Sequence, residues 1–215
     1  MIVGYGAKNA LSKSIHYDQT RSFLELFLKD LKSSGQTKFW LETCNVHAMA
    51  CAVDAVGGRW HHMLPTGGDG KPLFSQAAAM FIGLYSAWGQ SAAPFVRDGV
   101  AENEVIANVA WIAEQLADVK ATVITAVSGL DLIEKMDASL KRGSANVLSY
   151  LTDYGSGHYV TQVMRNKTDG SFTVMDPWPG NVHCKNGGVL EIYKDSFFAT
   201  RCDPARLRFI EVHAL

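Results

Sequence analysis

Three side chains far apart in this chain are of the types that carry nucleophilic catalysis: Cys44, His158 and Asp176. Cys44 stands in "FWLETCNVHAMACAVDAVGG", residues 39–58, where an aromatic lead-in gives way to small apolar residues closed by two glycines. That pattern predicts a helix opening at Cys44 and stopping at Gly57 and Gly58. Ala48, Cys51, Ala52 and Ala55 are spaced to let one face pack closely on a sheet. At a helix N-terminus the unpaired N–H groups and the dipole favour negative charge, so a thiol there is more acidic and more nucleophilic. Taken alone, Cys44 reads equally well as a small buried hydrophobe.

A thiolate needs a base, and the base needs an orienting partner. In "YGSGHYVTQVM" His158 opens a strand behind two glycines, which let other chain segments come close. In "FTVMDPWPG" Asp176 ends a strand that Pro177 cannot continue. If these two strands are antiparallel neighbours, the carboxylate can lie beside the imidazole and hold its tautomer and charge. Each residue also has an ordinary reading: a half-buried surface histidine, and an Asp-Pro turn starter. His47, about one turn after Cys44, is a rival base. His61 and His62 are adjacent in a loop and suggest a weaker alternative, a metal site.

Positioning such groups requires elements on both sides of the chain's midpoint. Phe23, Leu24, Phe27, Leu28 and Leu31 follow helical spacing, with Asp18 or Thr20 as cap and Gly35 as stop. "RWHHMLPTGGDGKP" is a loop. Further helices are predicted over Phe74–Trp88, over Glu102–Leu116 and within "DLIEKMDASLKRG", whose Lys141 and Arg142 fall in the last turn before Gly143. Beyond residue 145, "HYVTQVM" and "SFTVMD" read as strands joined by a hairpin turn at Asp169-Gly170, followed by "GVLEIY" and "RLRFIEVH". Helices first and sheet later imply an α+β fold, not a doubly wound one.

The bulk numbers narrow the partners. The chain has 215 residues, 47% hydrophobic and 19% charged, which suits one sizeable domain and is far from a disordered composition. A net charge of −1 leaves no basic footprint for nucleic acid or anionic lipid. The N-terminus lacks the long apolar core of a secretory signal. Residues 72–96 carry no charge, but their Ser, Gln, Gly and Pro content favours a buried helix and a loop over a membrane span. The chain therefore reads as soluble. Four cysteines without a CxxC pair make neither a disulfide scaffold nor a thiolate zinc site. Cys184 and Cys202 could bridge if the fold joins them.

The ordered set "YDQTR", "CNVHAMACAVDAVGG", "GHYV" and "DPW" resembles the papain-like cysteine peptidases. Within them it is most similar to the bacteriocin-leader-processing group and its stand-alone bacterial and phage relatives. The resemblance covers residues 17–58 and 155–180 and implies a single papain-like domain over 1–215. In it a helical N-terminal part packs on a C-terminal antiparallel sheet, with a mostly helical insertion at about 59–146. It implies Cys44 as nucleophile, His158 as base and acid, and Asp176 as orienting carboxylate. Gln19 would be the side-chain donor of an oxyanion hole beside the Cys44 N–H, with Gln36 as rival; Glu42, when ionised, has no hydrogen to give. His47 and Ala48 depart from the Thr-Ser found after "CNV" in many phage-type relatives.

No metal or organic cofactor is expected. The expected partner is a peptide, and the group's cell-wall-cleaving members point to a peptidoglycan peptide. Two alternatives share the residue set: a transglutaminase or acyltransferase with an amine acceptor, and an inactive binding protein on a peptidase scaffold.

Overall fold

In a computed structural model, the structure describes residues 3–12, 43–70, 75–88, 102–153, 155, 157–178, 190–202 and 206–215. The helix expected over 18–31 lies outside them. Among the described residues seven strands form one antiparallel sheet: β1 (Gly4–Gly6), β2 (Val119–Thr125), β3 (Ala145–Leu151), β4 (Gly157–Asn166), β5 (Phe172–Met175), β6 (Leu190–Tyr193) and β7 (Arg208–Ala214). The order is β2-β7-β3-β4-β5-β6, and β1 pairs with the far end of β4. The helices are α1 (Cys44–Val56), α2 (Gln76–Trp88), α3 (Glu102–Leu116), α4 (Gly129–Lys141) and α5 (Asp195–Arg201).

Helix α1 begins at Cys44 and ends at Gly57, whose φ of 80° only glycine adopts without strain. The Gly58 N–H donates to the Val53 carbonyl at 2.9 Å, closing the helix end. Twelve of its thirteen residues are buried, all but Asp54. Alanine and valine let the helix lie close on the sheet, where Thr161 of β4 donates its hydroxyl to the Ala48 carbonyl. Helices α2 and α3 cover α1 from the other side, and Met80, Phe81, Leu84, Ile106 and Val109 complete this core. A second core fills the opposite face, where Leu132, Met136 and Leu140 of α4 and Phe198 of α5 meet Leu148, Tyr150, Val160, Val174 and Phe209.

The α+β architecture is as expected, with two corrections. The sheet is not confined to the last third: β1 and β2 come from the earlier part of the chain and pair with β4 and β7. Helix α4 also starts two residues before the expected "DLIEKM" segment, because Ser128 caps it by accepting from the Asp131 N–H at 3.2 Å. The predicted β4–β5 hairpin forms around Gly170, at φ 67°. No helix among the described residues is long and apolar enough to cross a membrane.

Candidate active site

The site lies at one end of the sheet, where β4 begins, β5 stops and α1 presents its first residue. Residue Thr43, before that helix, makes no side-chain cap hydrogen bond. The Asn45 side chain instead takes the Val46 N–H, at 2.8 Å. Among the described residues, no side chain before the helix caps its first N–H groups. Cys44 itself is buried.

His158 is the second residue of β4 and pairs across the ladder with Tyr150 of β3. Strand β5 runs antiparallel to β4, with Met175 opposite Thr161. The next residue, Asp176, turns to the other face from Met175, the face of Val160 and His158. The Nε2–H of His158 donates to Asp176 Oδ1 at 2.7 Å, and both side chains are buried. Nε2 is thereby occupied and Nδ1 is the ring nitrogen left, while Cys44 is the other side chain that acts on the ring.

The carboxylate is itself held. The Trp178 N–H donates to Oδ1 at 2.8 Å, and the Tyr193 hydroxyl donates to Oδ2 at 3.2 Å. Pro177 both breaks the strand and leaves the next N–H free to turn back onto Asp176. Behind the histidine stands an aromatic wall. Tyr150 meets the imidazole edge-on with ring centres 5.5 Å apart, and Tyr193 stacks on Phe197 at 4.4 Å. These rings keep water from the His–Asp pair, so its charge interaction is less screened than it would be at the surface.

Burial alone would push His158 down by disfavouring the imidazolium. Hydrogen bonds to Asp176 and Cys44, and the negative charge of both, outweigh it and raise the ring to about 10. Burial likewise pushes Asp176 up, but bonds from His158, Trp178 and Tyr193, with the imidazolium charge, leave its carboxyl below the usual range. Both shifts favour one state, an imidazolium beside a carboxylate. Such a ring stabilises a neighbouring thiolate and carries a proton ready to give away.

The remaining sequence candidates separate clearly. His47 is buried in α1, and its Nδ1 bonds the Thr43 carbonyl at 2.8 Å, turning the ring back onto its own helix. His61 Nε2 lies 2.6 Å from Asp118 Oδ1, and Arg59 Nε lies 2.8 Å from Oδ2 of the same carboxylate. His62 packs edge-on to Trp60. Among the described residues, no three His, Cys, Asp or Glu side chains stand close enough to share a metal ion. Gln19, Gln36, Glu42 and Cys184 lie outside the described residues. Cys202 is a buried thiol with Sγ 3.6 Å from the Ser149 carbonyl. Cys51 sits fully buried within α1, and burial pushes its thiol well up.

Sequence reading missed Tyr193 and Tyr150. Both sit in short apolar runs where an aromatic residue reads as core. Only the pairing of β5 with β6, and of β3 with β4, turns them toward the Asp176–His158 pair.

No protein-family model matches the chain, and no curated protein does. Among solved structures it is similar to the Pseudomonas avirulence protein AvrPphB, at 9% sequence identity and a TM-score of 0.37. The match spans 80% of this chain and 89% of that one. A likeness of that depth adds nothing to the chemistry of the site.

Proposed function

We propose that this chain is a papain-like cysteine peptidase that cuts a peptide amide through a thioester on Cys44. The observation that carries this reading is the buried His158–Asp176 hydrogen bond at one end of the sheet, with the Cys44 side chain acting on the same ring. The reacting form of the site is a Cys44 thiolate beside a His158 imidazolium. The sulfur attacks the amide carbonyl, and the oxyanion forms against the Cys44 N–H at the uncapped start of α1. By the resemblance, Gln19 supplies the second donor.

His158 then gives its Nδ1 proton to the departing amine, leaving an acyl-thioester on Cys44 and a neutral ring. Water enters, gives a proton back to Nδ1 and attacks the thioester; the carboxylic acid leaves and the thiolate–imidazolium pair is restored. Asp176 keeps the ring oriented through both halves. Peptides of the bacterial cell wall are the substrate class to try first.

The test has two stages. Iodoacetamide at neutral pH should alkylate Cys44 well before Cys51 and Cys202, read by mass spectrometry of the digested protein. Incubation with purified cell walls and with unfolded protein should then release fragments with new amino termini, and Cys44→Ala should release none. Addition of a primary amine should leave those products unchanged; amine-linked products would identify an acyltransferase instead. Uniform labelling of the thiols, with no fragments, would leave a binding protein.

A further inference from the structure

We infer that Thr161 is a positioning residue for Cys44: its hydroxyl pins the helix that begins with the nucleophile to the strand that carries the base. The inference rests on the peptidase reading and adds to it a residue that acts on the thiol only through the helix.

It starts from how smooth the contact is. Ala48, Cys51, Ala52 and Ala55 share one face of α1 and are fully buried. Side chains this small raise no high ridges, so packing fixes the height of the helix above the sheet more firmly than its place along the strands. On the sheet, β4 turns Tyr159, Thr161 and Val163 toward α1, while His158 and Val160 point to the other face. Thr161 is fully buried and donates its hydroxyl to the Ala48 carbonyl. It also acts on Cys51, three residues further along the same face of the helix.

The type of residue matters as much as its place. Valine has the shape of threonine without the hydroxyl and would fill this apolar contact without burying a polar group. Nor does the helix need the bond, because the carbonyl of Ala48, inside α1, already accepts from the N–H four residues on. What the bond adds is a fixed point between two elements. Ala48 stands four residues from Cys44, about 6 Å along the helix, and Thr161 three residues from His158, about 10 Å along the strand. A second anchor holds the far end of α1, where Asn9 Nδ2–H donates to the Asp54 carbonyl at 2.9 Å and the Asn9 N–H to the Ala55 carbonyl at 2.7 Å. Asp54 is about 15 Å along the helix from Cys44, so the pin nearer the thiol is Thr161. Misplacing reacting atoms by about 1 Å costs about a hundredfold in rate, which makes such a pin matter.

Alkylation of Cys44 by iodoacetamide, with Cys202 as internal reference and mass spectrometry as readout, tests this without a substrate. Thr161→Val should lose the plateau that pairing with imidazolium gives. Its Cys44 rate at about pH 6 should fall by about tenfold or more, and the profile should become a single rise near the ordinary thiol value of about 8.5. Lost stability by itself does not move that profile in folded protein. Thr161→Ser keeps the hydroxyl and should keep the plateau, with a rate within about twofold of native. Asn9→Ala weakens the distant anchor and should likewise stay within about twofold. A native plateau in Thr161→Val, its loss in Thr161→Ser, or an equal loss in Asn9→Ala overturns the inference. If Thr161→Val does not fold, Thr161→Ser is compared with Thr161→Ala, which differs from it by the hydroxyl alone; equal Cys44 rates in the two overturn it. Failure of the peptidase reading looks different: Cys44 of the native chain then shows no plateau and is alkylated no faster than Cys202, and the inference falls with it.

Discussion

Replacing Asp176 with asparagine keeps the shape of the side chain and removes its charge. In the native site His158 rises from an ordinary 6.5 to about 10, equivalent to about 5 kcal/mol in favour of the protonated ring. Burial opposes that rise, so Asp176 and Cys44 together supply more than the net. Asp176 is bonded directly to Nε2 at 2.7 Å, and an opposite charge so placed moves a pKa by about 1–3 pH units. His158 in Asp176→Asn should therefore release its proton about 1–3 pH units earlier. Alkylation of Cys44 by neutral iodoacetamide, followed across the pH scale, reads this without any substrate. A thiolate paired with imidazolium reacts on a plateau. Once His158 loses its proton, the freed thiolate is the stronger nucleophile and a second, faster step appears. In native protein that step should stand near 10. The sign for stability is the same: because the ring's pKa is raised on folding, its contribution is full below the ordinary 6.5 and is lost as pH rises through about 10. A second step at the same pH in native and substituted proteins would refute the reasoning, as would a single rise with no plateau.

Two further substitutions probe the support around the site. Tyr193→Phe keeps the ring against Phe197 at 4.4 Å and removes the hydroxyl that donates to Asp176. It should cost about 1.5–3 kcal/mol in urea unfolding near neutral pH, the range for a hydrogen bond to a charged group. That hydroxyl also helps hold the Asp176 carboxyl down, so acid loss of stability should begin at a higher pH than in the native chain. Gly58→Ala would place a Cβ 2.5 Å from Val119 Cγ1 and 3.0 Å from Val53 Cγ1. It should lower stability by about 1–3 kcal/mol through overpacking, while folded protein keeps its preference for alkylation at Cys44.

How far the sequence could be read depended on whether the information was local. The predicted start of α1 at Cys44 and its stop at Gly57 agree with the structure, because cap chemistry and helical periodicity sit in one window. The β4–β5 hairpin was legible for the same reason, with Asp169-Gly170 between two β-rich runs. Strand β3 gave no such signal. Six of its seven residues are buried, since helices cover both faces of the sheet there, and a strand buried on both faces loses its polar–apolar alternation. Strand β1, with three residues, is too short to carry a period at all.

Local chemistry in the sequence determined which groups could react: a thiol opening a small-residue helix, a histidine opening a strand, an aspartate halted by proline. Whether they meet is a tertiary matter. The His158–Asp176 bond depends on β4–β5 register, and the approach of Cys44 depends on how α1 lies on β4. Tyr193 is brought to the carboxylate by the folding of β6 alongside β5. Each of these meetings is fixed by packing between residues distant in the chain, and no periodicity within a single segment encodes such a distance.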